Sequence, residues 1–206
     1  SQNGLSATLL AKKLNISEST TDLAHLYTRT DINTLVIATR HNTHAKMVSA
    51  ALKNNKHVFV EKPLCLSFPQ LTDITNAYNK APTSKVLVGY NRRFSPHIQI
   101  INPKLVKNGA PRFIQMNINA GFIPKDHWTQ SPEVGGGRLI GEACHFIDLS
   151  RFLAGSKIKS IQSKSMSSDR MAKDENICIT LQFENGSLAS INYFANGAKT
   201  FAKEHI

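Results

Sequence analysis

The segment HVFVEKPL, residues 57–64, decides the fold of this chain. Its first four residues are rich in β-branched and aromatic side chains, which favour a short buried strand. Pro63 fixes its own φ angle and disfavours a helical conformation at the preceding residue, so Lys62 is expected to lie extended at the end of the strand. Ligands of open α/β sheets bind at the carboxyl ends of strands. We therefore expect Lys62 to point into a cleft, although a solvated lysine at a strand end has the same sequence pattern.

A strand and a helix precede this segment. Residues 34–38 form a continuous apolar run that predicts a strand, and residues 43–54 predict a helix. The apolar residues of that helix share one face: Ala45, Val48, Ala51 and Leu52. Strand, helix and strand at this spacing predict a parallel βαβ unit.

The composition is that of an ordinary globular protein. Of the 206 residues, 41% are hydrophobic, and the formal net charge is +11. The basic residues are scattered and no nucleic-acid-binding motif is present, so the charge favours a phosphate-bearing ligand over nucleic acid.

Cys65, Cys144 and Cys178 lack disulfide or zinc spacing, and we expect free, packed thiols. No apolar run reaches the roughly eighteen residues of a membrane span, and the start has no signal segment, which favours the cytoplasm and no membrane association.

The first part of the chain alternates between helices and strands. Helices are predicted over residues 5–14, 21–27 and 69–79, and a further strand over residues 85–90. Three finer predictions accompany them: Leu5, Leu9, Leu10 and Leu14 form an apolar stripe, Thr20 or Thr21 caps the second helix, and Val86, Leu87 and Val88 are buried. This alternation is typical of a doubly wound sheet.

Beyond residue 90 the pattern changes. Helices are predicted over residues 97–107 and 139–153, and a strand over residues 113–120, followed by alternating strands around an Asn185-Gly186 hairpin turn. The chain is thus predicted to be α/β, with an incomplete Rossmann-type parallel sheet in residues 1–90. An α+β domain with a largely antiparallel sheet is expected in residues 91–206.

The chain lacks the glycine-rich loop that opens a dinucleotide-binding domain. That loop, G-x-G-x-x-G, follows a strand and places pyrophosphate on a helix N-terminus. Residues 135–137 are three glycines with no strand before them, and they predict a flexible helix entry. Because no strand precedes the first helix either, we expect the first βα unit to be missing and the chain to be truncated at its start. The chain also ends shortly after a predicted strand without capping structure, so we expect a second truncation there.

A second group of ionisable residues lies on the predicted helix over residues 139–153. Glu142, His145 and Asp148 are three residues apart, so they share one helix face. Histidine is the usual general base near neutral pH. A partly buried His145 that is satisfied by one of the two carboxylates is the alternative.

Residues 37–67, IATRHNTHAKMVSAALKNNKHVFVEKPLCLS, together with GGGRLIGEACHFIDL, residues 135–149, resemble the glucose-fructose oxidoreductase / inositol dehydrogenase (Gfo/Idh/MocA) family. The second segment is most similar to a bi-domain oxidoreductase subgroup. The resemblance implies that Lys62 lies beside a nicotinamide and a substrate hydroxyl group. Gly141 stands where the family pattern has an aspartate, so the usual Lys/Asp/His triad is incomplete.

The resemblance also implies roles for the site residues. His145 would be the general base, Lys62 the cation that polarises the substrate oxygen, and Glu142 the group that orients His145 or shares its proton. The expected cofactor-binding residues are Ala38, Thr39, Arg40, Asn42, His44, Glu61, Lys62 and Arg93. A salt bridge at the domain boundary is the alternative for Arg93. His127 and Trp128 are expected to contact substrate, unless Trp128 only anchors its loop.

The function implied is hydride transfer between NAD or NADP and a sugar, polyol or sugar derivative. Two alternatives stay open: a non-catalytic cofactor-binding or regulatory protein, and a redox-neutral NAD-dependent glycosidase. No metal is expected, because His41 and His44 have no third ligand nearby in sequence. A homo-oligomer that forms through the C-terminal sheet is expected.

Overall fold

The structure is a computed structural model, and it describes residues 4–166 and 175–206. In this part of the chain the strands form two sheets, one of three strands and one of five. The element order of the first half is α1 (Gly4–Lys13), α2 (Leu23–Thr28), β1 (Thr34–Ile37), α3 (His41–Lys53), β2 (His57–Val60), α4 (Phe68–Asn79) and β3 (Val86–Val88). Strands β1, β2 and β3 are parallel neighbours, which confirms the predicted βαβ unit.

The second half begins with a 3₁₀ turn, Asn91–Phe94, and ends in the larger sheet. Its elements are α5 (Pro96–Asn108), β4 (Phe113–Asn119), a 3₁₀ turn (Trp128–Gln130), a π-helical turn (Leu139–Ala143), α6 (Cys144–Ala154), β5 (Ile158–Ser165), β6 (Asn176–Phe183), β7 (Leu188–Phe194) and β8 (Glu204–His205). The strand order is β5-β6-β7-β4-β8. All neighbours are antiparallel except β4 and β7, which are parallel, so the sheet is largely antiparallel as predicted.

Each sheet has its own hydrophobic core. Helix α3 packs on the first sheet through the predicted face, where Val48, Ala51 and Leu52 are at most 1% exposed. Helix α6 packs on the second sheet, and Phe146 lies against Tyr193 of β7. The site described below lies where the loops of the first sheet meet the start of α6.

Three local predictions were wrong. Leu87 is 55% exposed, because β3 buries little on the face of the sheet away from α3 and α4. The four leucines of the predicted stripe, three in α1 and Leu14 directly after it, are between 55% and 72% exposed, and Ala11 is the buried residue of that helix. Helix α2 is capped by Asp22, whose carboxylate accepts from the His25 amide; Thr20 instead bonds the Asp22 amide.

The triple glycine is a site of close packing, and the prediction of a flexible helix entry was wrong. A Cβ atom on Gly135 would lie 2.3 Å from the Cα of Thr129, so only glycine fits there. Gly136 and Gly137 have φ angles of 79° and 70°, which favour glycine. The glycines thus set the loop of Trp128 against the π-helical turn.

Within the described residues all three cysteines are free, and Cys178 is exposed, not packed. No helix in the described ranges has the length and apolar character of a membrane span.

Candidate active site

A cavity of about 390 Å³ lies at the carboxyl ends of β1 and β2, facing the start of α6. Residues from both halves of the chain line it, among them His41, Lys62, Arg92, Trp128, Glu142 and His145. The two groups on which the sequence prediction rested, the Lys62 ammonium and the His145 imidazole, therefore face one space. They lie more than eighty positions apart in sequence, and the fold brings them together.

Lys62 is held at the end of β2 by contacts on both sides. Its ammonium donates a hydrogen bond to the carbonyl oxygen of Gly141 at 2.5 Å. The amide of Glu61 donates to the Ile37 carbonyl, which continues the β1–β2 ladder up to the lysine. The Glu61 side chain turns towards Gly89, where a Cβ atom would lie 3.1 Å from its Oε2. Lys62 thus reaches the cavity, and Glu61 lies on the other side of the strand end.

His145 lies in the first turn of α6 and is 6% exposed. Burial, together with the charges of Arg92 and Lys62, lowers its pKa from the ordinary 6.5 to about 3. The ring is therefore neutral at pH 7. Its Nδ1 atom is buried and has no hydrogen-bond partner among the residues that the structure describes. Tyr90 packs against it edge-on, with ring centroids 6.0 Å apart.

Glu142 belongs to a polar network and does not orient His145. It accepts a hydrogen bond from the Tyr193 hydroxyl at 2.7 Å and forms ion pairs with Arg138 and Lys203, each at 3.2 Å. Burial would raise its pKa, but Tyr193, Lys203 and Arg138 outweigh burial, and the pKa lies below its ordinary value. Within the described part of the chain no hydrogen bond joins Glu142 to His145, so the expected contact between them is absent. The π-helical turn directs the carboxylate towards β7.

The two histidines at the start of α3 have separate places. His44 is fully buried, and its Nδ1 and Nε2 lie 2.7 Å and 3.0 Å from the carbonyl oxygens of Pro63 and Thr39. It links the two loops that follow β1 and β2. Because the side chain is fully buried, it is not available for the cofactor contact that the sequence analysis expected. His41 reaches the cavity and bonds to the Gly135 carbonyl. In the described ranges no cluster of three or more metal-ligating side chains occurs.

Of the neighbouring arginines, Arg92 and not Arg93 faces the cavity. Arg93 forms an ion pair with Asp148 of α6, which is the domain-boundary salt bridge named above as the alternative. Arg92 lines the cavity and binds Glu204 of β8 through two of its nitrogens. Sequence alone could not separate the two, because both belong to one 3₁₀ turn.

Trp128 lines the cavity, whereas its neighbour His127 is exposed and bonds to Thr129. The indole packs edge-on against His41, with ring centroids 4.9 Å apart, and the Arg40 guanidinium lies 5.7 Å from the indole centroid. Trp128 thus forms one wall of the cavity as well as anchoring its loop.

The remaining expected cofactor residues lie together at the end of β1. Ala38, Thr39, Arg40 and Asn42 are all exposed, and the Thr39 hydroxyl contacts Thr43 at 2.6 Å. An accessible strand end followed by a helix N-terminus, with an arginine beside it, suits a phosphate-bearing cofactor. These residues fit such a group.

Several functional side chains were missed by the sequence prediction. Arg138 directly follows the triple glycine, and this position beside a glycine turn was the sequence signal available; the structure shows that the side chain is 2% exposed. Tyr193 occupied an inward position in a strand and resembled an ordinary core residue. Lys203 had no sequence signal at all, because only the fold returns it to the cavity.

A parallel sheet whose strand ends face a cavity closed by α+β structure is typical of ligand-binding α/β proteins. Two family models agree with this class. The model described as the oxidoreductase family with an NAD-binding Rossmann fold matches residues 1–91, and the model of the GFO/IDH/MocA C-terminal domain matches residues 107–202. The chain belongs to the Gfo/Idh/MocA oxidoreductase family.

Similar proteins are consistent with this assignment. The uncharacterized oxidoreductase YrbE of Bacillus subtilis is 28% identical over 84% of this chain and 52% of its own length. The myo-inositol 2-dehydrogenase of Thermotoga maritima is 23% identical over 89% of this chain and 56% of its own length. A crystal structure of an NAD-binding oxidoreductase from Klebsiella pneumoniae shares the fold, with a TM-score of 0.84 at 22% identity over 96% of this chain and 58% of that one. The chain spans about half the length of the curated relatives it matches.

Proposed function

We propose that the complete protein is an NAD(P)-dependent oxidoreductase that transfers a hydride between a nicotinamide and a sugar, polyol or sugar derivative. The observation that carries the proposal is the shared cavity of Lys62 and His145. Alcohol oxidation needs a proton acceptor and a group that stabilises negative charge on the oxygen. A neutral imidazole and an ammonium group in one cavity supply both.

The two residues have distinct roles in this proposal. A nicotinamide bound here would supply the acceptor for the hydride of the alcohol carbon, and His145 would take the hydroxyl proton. Lys62 stabilises the charge that develops on the oxygen, and its hydrogen bond to Gly141 keeps the ammonium in position. The low pKa of His145 keeps it unprotonated before the reaction.

The cofactor is held at the ends of the first two strands. Ala38, Thr39, Arg40 and Asn42 contact its ribose and diphosphate, and Glu61 and Lys62 lie at the nicotinamide end. His44 supports this surface from beneath through its bonds to Thr39 and Pro63. NAD is the cofactor that the family description names, and NADP is the alternative to be tested beside it.

Trp128 supports a carbohydrate or polyol as the substrate. An aromatic face packs well against the C–H groups of a sugar ring, and this indole borders the same cavity as Lys62. The domain division at residues 1–90 and 91–206, a homo-oligomer through the five-stranded sheet, and a cytoplasmic location without nucleic-acid partners belong to the same proposal.

The experiment uses the complete protein, NAD⁺ and NADP⁺, and a panel of sugars and polyols that includes myo-inositol. Formation of reduced cofactor is followed by absorbance for the wild type and for His145→Asn, with thermal melting as the control for folding. We expect turnover with at least one polyol and a loss of about 10²-fold or more in kcat for the variant. NADH binding by fluorescence without any turnover would favour the non-catalytic alternative. Cleavage of a glycoside that needs NAD⁺ but yields no net NADH would favour the glycosidase.

A further inference from the structure

His41 is a cavity residue to which the proposed reaction gives no task. It is the first residue of α3, it is 9% exposed, and it borders the same space as Lys62 and His145. A histidine enclosed to this degree is costly to keep unless its polar atoms are used. One of its two nitrogens is accounted for, and the other is not.

The contact with Gly135 fixes the tautomer of the ring. Nδ1 lies 2.7 Å from the Gly135 carbonyl oxygen, which can only accept, so Nδ1 carries the hydrogen. Burial is the main cause that lowers the pKa of His41. The hydrogen bond to Gly135 raises this pKa, and the charges of Lys62 and His44 lower it, so that the net shift is downward. In the neutral ring Nε2 therefore has a lone pair. Among the described residues no hydrogen bond to that atom is present.

The ring also fills the space in front of position 141. A Cβ atom built on Gly141 would lie 3.6 Å from Cε1 and 3.8 Å from Nδ1 of His41. Any longer side chain at position 141 would have to displace the imidazole. The ring is held from the other side by Trp128, whose indole packs edge-on against it. His41 thus occupies a fixed position between the loop of Trp128 and the turn that Lys62 contacts.

We propose that Nε2 of His41 accepts a hydrogen bond from a hydroxyl group of the substrate and is a second recognition group of the site. The inference rests on the proposed function, because it assumes a hydroxylated substrate in this cavity. An uncharged acceptor of fixed tautomer selects a hydroxyl donor over an ether or carbonyl oxygen at that position. Lys62 is a donor only, so it requires an acceptor atom, which hydroxyl, ether and carbonyl oxygens all supply.

Two substitutions separate this role from a structural one. In His41→Asn the amide nitrogen can replace Nδ1 and keep the Gly135 bond, but nothing replaces Nε2. In His41→Gln the longer side chain can place its oxygen near the former Nε2, but the Gly135 bond is lost. We expect His41→Asn to lower kcat/KM about tenfold with an unchanged melting temperature, and His41→Gln to restore most of that loss. The reverse order, a harmless Asn and a damaging Gln, would show that His41 serves only to fasten Gly135.

A substrate series identifies the hydroxyl group. Deoxy analogues of the best substrate are compared with wild type and His41→Asn, and the loss caused by the variant should vanish for one analogue. An equal loss for every analogue would overturn the proposal. Nitrogen-15 spectra of histidine-labelled protein, assigned with His41→Asn, provide a readout that needs no turnover. We expect hydrogen on Nδ1, and hydrogen on Nε2 would overturn the proposal even if the oxidoreductase activity is present. Absence of turnover in the wild type, with the Nδ1 tautomer present, would instead contradict the proposed function.

Discussion

The Lys62 ammonium lies 2.5 Å from the Gly141 carbonyl oxygen, and this hydrogen bond joins the end of β2 to the turn that precedes His145. One partner belongs to each half of the chain, so the bond sets the position of the cation relative to the imidazole. The Gly141 carbonyl is available to accept the hydrogen bond from Lys62 because it lies in a π-helical turn, a widened geometry that is common at functional sites.

We expect Lys62→Met to lower kcat of the complete protein by about 10²- to 10³-fold, because the oxygen charge of the transition state loses its cation. Folding should change little, since only one hydrogen bond worth about 1 kcal/mol is lost. Lys62→Arg serves as the control that keeps the charge and alters its placement. Its kcat should lie between that of the wild type and that of Lys62→Met. Steady-state kinetics and thermal melting test this expectation. A kcat for Lys62→Met equal to that of the wild type would contradict the assignment of Lys62.

The Glu142 network should contribute to stability more than to the chemical step. Arg138 is 2% exposed, forms an ion pair with Glu142, and donates hydrogen bonds to the Tyr193 hydroxyl and the Gly121 carbonyl. Glu142→Gln removes the carboxylate that pairs with this buried cation, and we expect a loss of about 3 kcal/mol in the free energy of unfolding. Urea unfolding near pH 7 measures it, with the exposed Glu184→Gln as the matched control.

The pH dependence of this loss has a defined sign. The folded protein holds the pKa of Glu142 below its ordinary value of 4.5, so the stabilisation is present above that pH. It is lost as pH falls through the folded pKa and the carboxylate protonates. The difference between wild type and Glu142→Gln should therefore shrink in acid, and a difference that is constant with pH would contradict the ionised state of Glu142.

The sequence predicted the parts of the fold that depend on local periodicity. Strands β1 and β2, helix α3 and the buried face of α3 were correct because each carries its own hydrophobic pattern. Lys62 and His145, each chosen from a segment with several matching residues, line the same cavity, and their catalytic roles stay predictions. Leu87 was wrong because the burial of a strand depends on what covers the sheet, which its own residues do not encode.

The remaining site residues depend on contacts between segments distant in sequence. Glu142 was assigned to His145 from helical spacing, yet the π-helical turn and Tyr193 direct it to another partner. Arg92 and Arg93 are adjacent, and only the positions of Glu204 and Asp148 decide which of them faces the cavity. No pattern in a single segment contains that information.

Gly135 should be intolerant of any side chain. In Gly135→Ala the new Cβ atom would lie 2.3 to 2.5 Å from backbone atoms of Thr129, which cannot move aside as a flexible side chain could. We expect a loss of about 1–3 kcal/mol in stability from overpacking, and a raised KM because Thr129 and Trp128 line the cavity. Gly4→Ala is the control, since its Cβ atom meets only an ordinary contact at 3.7 Å. Equal unfolding free energies for the two variants would contradict the close approach.

His145 should make the protein less stable as the pH falls below neutrality. Its pKa is about 3 in the folded protein against an ordinary value of 6.5, so between these values only the unfolded chain binds the proton. The free energy of unfolding should therefore fall with decreasing pH, with a contribution from this residue of up to about 1.4 kcal/mol per pH unit. Urea unfolding from about pH 7 to pH 5, above the range in which Glu142 titrates, isolates the effect. His145→Asn should flatten the slope, whereas the exposed His97→Asn reports the effect of losing an imidazole from the chain surface. Parallel curves for wild type and His145→Asn would mean that the folded protein protonates His145 as readily as the unfolded chain does, which would contradict the lowered pKa of this imidazole.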